Sequence, residues 1–387
     1  MKIAGIVAEY NPFHKGHAYQ IDTLRAMGFD GIVAAMSGNF VQRADTALTD
    51  KYARARAAVR GGVDLVLELP LPYAVASAED FALGGISVLA ATGILDAVCC
   101  GCESGDAKNR AQYEALSRAD AEGLVGEKIK EGLSYPAACR AAVTEMGCEW
   151  SDEPNDVLAL AYRKALQRIA PQIPLIAIER KGSFHGDETE PFESASSIRR
   201  RWRAGEDVSG SVPRGTAEML DDMQASDLSR LERSILAYYR TREPDDLAGC
   251  YGMREGISQR LCGANAATMN ELFDAAKSKR FPHSALRRAV LCGYLKIPAS
   301  LPPITYLRVL AFNQRGQEML RKMKERASLP AVSSLSPAME IDPIHSAMVK
   351  VQLRGDEYFA LTLTSPLSRR QDFLRTAEKI EEENAQF

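Results

Sequence analysis

Two imidazoles stand three residues apart in His14-Lys15-Gly16-His17, where a short apolar run, residues 2–7, gives way to a helical pattern. At that spacing both rings share one helical face, so both can donate to a single polyphosphate as charge builds during displacement at phosphorus. A helix amino terminus adds free backbone N–H groups and the positive end of its dipole. Gly16, having no Cβ, lets the ligand come close to the backbone. A second anion-binding element, Ser194-Ala195-Ser196-Ser197-Ile198-Arg199, offers hydroxyls at a helix start and Arg199 to neutralise phosphate charge. Neither G-x-x-x-x-G-K-[ST] nor G-x-G-x-x-G occurs in a suitable place. The two elements predict an ATP site at which attack on the α-phosphate activates a small substrate.

Those residues need a scaffold that presents them together. Strand-like runs at 2–7, 31–36, 63–69, 95–100 and 173–178 alternate with helical segments at 16–27, 50–61, 77–92 and over most of 107–169. This is the rhythm of βαβ units around a parallel sheet, and ligands of such sheets lie beyond the carboxyl ends of the strands. Gly101 ends the fourth strand and Arg180 follows the fifth, so both fall at that edge. From about residue 205 the β alternation fades, and stretches such as 229–239 take helical spacing. The predicted fold class is therefore α/β, a Rossmann-like parallel-sheet domain at 1–204 followed by a mostly α-helical domain at 205–387. Residues 327–337, rich in Ser and Pro, read as an exposed connection.

The chain has 387 residues, 46% of them hydrophobic and 26% charged, with a net charge of −3. That is a globular composition with no global basic signal, so any nucleic-acid contact must come from a local patch. The eight cysteines form no C-x-x-C ligand set, and no metal site is expected. Cys99 and Cys100 end a strand and read as packing residues. The first seven residues are too short an apolar run for a signal peptide, and no stretch reaches the roughly 20 residues of a membrane span. A reducing, cytoplasmic setting without membrane contact is expected.

An H-x-G-H motif after the first strand, paired with S-S-x-x-I-R-like residues near the domain's end, resembles the nucleotidylyltransferase superfamily. Longer strings narrow this. Ala8-Glu9-Tyr10-Asn11-Pro12-Phe13-His14-Lys15-Gly16-His17, Met36-Ser37-Gly38-Asn39-Phe40-Val41-Gln42-Arg43, Asp64-Leu65-Val66-Leu67-Glu68-Leu69-Pro70 and Glu153-Pro154-Asn155 are similar to the bacterial tRNA(Met) cytidine acetate ligase family. The resemblance implies an enzyme that joins acetate to ATP and passes the acetyl group to N4 of the wobble cytidine of elongator tRNA(Met). It implies ATP contacts along Ile6, Val7, Ala8, Glu9, Tyr10, Asn11, Pro12, Phe13, His14, Lys15, Gly16, His17, Ala18, Tyr19 and Gln20, and at Gly101, Asn155 and Arg180. His14 and His17 would stabilise the pentavalent phosphate, with Mg²⁺ helping to neutralise pyrophosphate. Asn155, following Pro154, also reads as a helix cap.

Two basic clusters could hold tRNA: Arg199, Arg200, Arg201 and Arg203 around Trp202, and Lys277, Lys279, Arg280, His283, Arg287 and Arg288 around Phe281. Solvated helix faces give the same pattern. The segment 37–43 reads either as a flap over acetate or the incoming base, or as a surface loop. His185 could approach the phosphates. Two other functions remain open on the sequence: a nucleotidylyltransferase acting on a phosphorylated metabolite, and a non-catalytic RNA-binding protein with a vestigial nucleotide pocket. The oligomeric state is not legible.

Overall fold

The computed structural model describes residues 1–133, 135–180, 192–254, 256–278, 281–336 and 343–381. Its centre is β1 (Ile3–Ala8), flanked in parallel by β2 (Gly31–Ser37) and β6 (Ala97–Cys102). The strand β5 (Leu65–Leu69) lies parallel outside β2, and β7 (Leu175–Glu179) lies parallel outside β6. Continuous apolar runs suit these strands because both faces of the sheet are covered. Ile3, Val7, Val33, Ala35, Leu65 and Leu67 face one layer, and Ala4, Ile6, Ile32, Ala34 and Val66 face the other. A short hairpin, β3 (Phe40–Val41) with β4 (Asp45–Thr46), fills the segment read as a flap or loop.

Local signals set the helices. α1 (Lys15–Ala26) is capped by His14 and stops before Gly28, whose φ of 82° is the left-handed conformation glycine tolerates. α2 (Lys51–Arg60) is capped by Asp50, which accepts from the Tyr52 and Ala53 amides at 2.9 and 3.2 Å. Both pack on the second layer through Ile21, Leu24, Ala55 and Val59. After the one-turn α3 (Leu71–Ala74), α4 (Ala78–Ala91) starts at Ser77 and packs on the first layer. Between β6 and β7 come α5 (Asp106–Leu116), α6 (Ala119–Lys130), α7 (Tyr135–Glu145) and α8 (Pro154–Ile169), and α8 joins α4 through Ala159, Tyr162 and Leu166. α9 (Ala195–Arg203) is capped by Ser194, which accepts from the Ser197 amide at 3.3 Å.

The later half is mostly helical, as expected, and helices such as Glu232–Arg240 and His283–Tyr294 share a core through Ile235, Tyr239, Leu286 and Val290. The expected end of β structure near residue 205 is corrected. Strand β8 (Leu307–Phe312) pairs antiparallel with β5, Leu65 opposite Phe312, while β9 (Ala331–Val332) and β10 (Glu378–Lys379) pair parallel with β8. Part of the expected exposed connection is thus strand. Apart from Arg308 the strand is apolar, and so short a run has no period that separates strand from helix; the open edge of β5 decides the matter.

Where the halves meet, Lys51 Nζ lies 2.7 Å from Glu68, 2.8 Å from Asp372 and 3.1 Å from Asp356. Arg308, the second residue of β8, bonds Asp372 at 2.6 Å and Glu68 at 3.2 Å. All five side chains are buried. Burial, reinforced by the charge of Asp372, holds the Asp356 carboxyl well above the ordinary carboxylate range. Burial would raise Asp372 too, but Lys51 and Arg308 overcome it and hold that group low. No helix among the described residues is long and apolar enough to cross a membrane.

Candidate active site

A cavity of about 460 Å³ opens beyond the carboxyl ends of β1, β6 and β7. The amino terminus of α1 reaches it from one face of the sheet and that of α8 from the other. Val7, Ala8, Glu9, Tyr10 and Asn11 line it from β1 and the turn, and His14, Gly16, His17, Tyr19 and Gln20 from α1. Gly101, Asn155, Arg180 and Arg199 join them from four later segments. Ile6, Pro12, Phe13, Lys15, Ala18 and Ser197 are not in its wall: Ile6 and Phe13 belong to the core, Pro12 is buried, and Lys15 is exposed.

The two histidines are fixed by the start of α1. His14 has extended backbone, φ −128° and ψ 173°, and its Nδ1 accepts from the Gly16 amide at 3.0 Å. In return the His14 amide donates to Nδ1 of His17 at 3.2 Å, and the rings stack with centroids 3.8 Å apart. A ring nitrogen that accepts carries no proton, so in each neutral imidazole the proton is on Nε2. The pair therefore offers two N–H donors to an anion without prior protonation. Burial, then the charges of Arg180 and Arg199, push His14 down to about 3, and burial, His14 and Arg180 hold His17 well below its usual value.

The sign of the linkage follows. Below about pH 6.5 the unfolded chain protonates His14 while the folded chain does not, so this site's contribution to stability falls as pH drops from about 6.5 toward 3. The Cε1 resonance of His14 is expected not to titrate between about pH 5 and 8 in the nucleotide-free protein. A midpoint near 6.5 in that NMR titration would refute the neutral pair.

Other charges meet the same space. Arg199 lies over the turn, its Nη1 donating to the Asn11 carbonyl at 2.7 Å. Glu9 accepts from the Gln42 amide at 2.8 Å, tying β1 to the hairpin whose Val41, Gln42, Arg43, Asp45 and Thr46 complete the mouth. Asn155 is the second residue of α8, so it does not take the cap position; it donates to Glu103. Sequence reasoning missed Glu103, Glu193 and Phe192. The last two immediately precede the serine motif, and Phe192 packs on Tyr19 with ring centroids 5.8 Å apart, so the motif's upstream edge was the available signal. Burial raises both Cys99, to about 12, and Cys100, so these thiols stay protonated and unsuited to a thioester.

The basic clusters divide. Arg200 and Arg203 are exposed. Arg201 instead pairs with Glu193 at 2.8 Å and Glu206 at 3.0 Å. Arg287 is 3.7 Å from Asp45, whereas Arg288 donates to the Val75 and Gln42 carbonyls at 3.0 and 3.1 Å and so braces the hairpin. Lys279, Arg280 and His185 lie outside the described residues. Among the described residues no group of three or more His, Cys, Asp or Glu could hold a metal ion.

Residues 1–373 match the family described as HIGH Nucleotidyl Transferase. A tRNA(Met) cytidine acetate ligase of Acetivibrio thermocellus is 30% identical over 96% of this chain and 97% of its own length. One from Thermoanaerobacter sp. (strain X514) is 33% identical over 88% and 90%. The crystal structure of Thermotoga maritima TmcAL bound with alpha-thio ATP superposes with a TM-score of 0.89 at 28% identity, covering 99% of this chain and 100% of that one. On that near full-length similarity, the chain belongs to the HIGH nucleotidyl transferases and, within them, to the tRNA(Met) cytidine acetate ligase family.

Proposed function

We propose that the protein is an ATP-dependent acetate ligase that acetylates N4 of the wobble cytidine of elongator tRNA(Met). Acetate oxygen attacks the α-phosphorus of ATP, and pyrophosphate leaves. N4 of the cytidine then attacks the acetyl carbonyl, AMP departs with its phosphate, and N4 gives up one proton, leaving N4-acetylcytidine. The observation that carries the reading is the neutral, stacked His14 and His17 pair at the amino terminus of α1. Their Nε2–H donors can strengthen as charge develops at phosphorus, and Arg199 adds fixed positive charge at the same turn. Mg²⁺ would neutralise pyrophosphate. That ion takes most of its oxygens from phosphates and water and needs no protein cage, and Glu9 and Asp45 are carboxylates of the cavity wall that could hold it. We place the reaction in the cytoplasm with its tRNA.

ATP–pyrophosphate exchange tests the first step. It is expected to depend on acetate, and exchange driven by a phosphorylated metabolite instead would overturn the reading. For tRNA, Arg200 is the appropriate probe, since Arg201, Arg287 and Arg288 are engaged within the protein. Arg200→Glu is expected to weaken tRNA binding and flatten its salt dependence by about one phosphate contact while sparing exchange. Filter binding across a salt series checks this; an equal loss of exchange would reassign Arg200 to the first step.

A further inference from the structure

The amino terminus of α8 is capped from a different part of the chain. Glu153, the residue before the helix, makes no side-chain cap bond. Glu103, in the loop after β6, takes its place. Glu103 Oε2 accepts from the Asp156 amide at 3.1 Å, and its Oε1 accepts from the Asn155 side-chain amide. Asp156 reciprocates, accepting the Glu103 and Ser104 amides at 2.9 and 3.1 Å and the Ser151 hydroxyl at 2.5 Å. A carboxylate only accepts, so Asn155 must turn its NH₂ toward Glu103 and its oxygen away.

Asn155 lines the cavity, and among the described residues its Oδ1 accepts no hydrogen bond. α1, with the phosphate-binding histidines, meets the sheet from one face, and α8 meets it from the other. A nucleotide whose phosphates lie against α1 therefore extends its nucleoside across the strand ends toward α8. We propose that Glu103 is a positioning residue: it locks the Asn155 amide so that Oδ1 accepts from an O–H or N–H donor on the nucleoside half of the nucleotide. This rests on nucleotide binding in the cavity and not on the identity of the acid or the RNA.

The test is calorimetric binding of ATP, 2′-deoxy-ATP, 3′-deoxy-ATP and purine riboside triphosphate, which lacks the 6-amino group. Wild type is expected to bind one of the three analogues about 10-fold or more weakly than ATP, which identifies the donor as ribose or base. In Glu103→Gln one side-chain oxygen stays on the Asp156 amide and an NH₂ faces Asn155, which turns over and presents a donor to a donor. ATP should then bind about 10-fold more weakly, and preference over that same analogue should fall to within about twofold. Loss of affinity for all four nucleotides by one common factor would mean a purely structural cap and would overturn the proposal, as would a wild type that binds all four alike. Should Glu103→Gln not fold, Asn155→Ala leaves Glu103 on the Asp156 amide and must abolish the same preference; a retained preference there refutes it. A wild type that binds no nucleotide at all sinks the nucleotide reading itself, a distinguishable failure.

Discussion

Alanine at His14 or at His17 is expected to slow acetate-dependent ATP–pyrophosphate exchange by about 10²–10³-fold, the range seen when a preorganised donor to a developing anion is removed. Both rings are neutral and already oriented by backbone amides, so neither must be protonated or reorganised as the reaction proceeds. His14 also caps α1, and losing a cap costs about 1 kcal/mol. His14→Asn separates the two roles. Its short amide can cap the helix but does not reach where Nε2 stood, so melting temperature should recover and exchange should not. Because the rings stack on one another, the double variant should lose less than the sum of the single losses. Exchange within twofold of wild type in both single variants would remove the pair from the mechanism.

Lys51→Met is expected to destabilise the fold by about 3–5 kcal/mol, the usual consequence of leaving buried charges uncompensated. Glu68 and Asp372 would then keep only Arg308 as a cation, and Asp356 would lose its cation and keep the Asn39 and Gln352 amides, all at buried positions. The loss should depend on pH with a definite sign. Lys51 and Arg308 hold Asp372 low, so without Lys51 its folded-state pKa rises. The folded variant then holds a proton over a range where the folded wild type has released it, so the deficit grows as pH rises through that range and shrinks as pH falls below it. Urea unfolding at several pH values checks both points. A deficit under about 1 kcal/mol, or one independent of pH, would show that the network contributes little.

The parallel part of the sheet was legible because its strands are uninterrupted apolar runs punctuated by Gly28, Gly61-Gly62 and Pro70. Four strand ends were set too early, those of β1, β2 and β7 by one residue and that of β6 by two. β6 and β7 run on to Cys102 and Glu179, and the Arg180 amide bonds the Cys102 carbonyl at 2.9 Å, an extension only pairing reveals. β8 was hidden by Arg308, a charge that reads as a surface residue until Glu68 and Asp372 arrive from 240 and 64 positions away. Distance along the chain also hid Glu103, whose partner Asn155 is 52 residues on. Arg201 and Arg288 were legible as charges but not as bound charges, because the carbonyls and carboxylates that hold them carry no mark in a count of basic residues.

The antiparallel strand β8 covers the edge that β5 would otherwise leave open. On the ribosome, all five parallel strands emerge well before that cover exists, and Lys51 and Glu68 emerge before Arg308, Asp356 and Asp372. The nascent sheet thus waits with an unpaired strand and an incomplete ionic centre until β8 and then Asp372 have been made. A chain released early therefore carries an adhesive strand edge and is a substrate for chaperones and proteases, not a free-standing nucleotide-binding fragment.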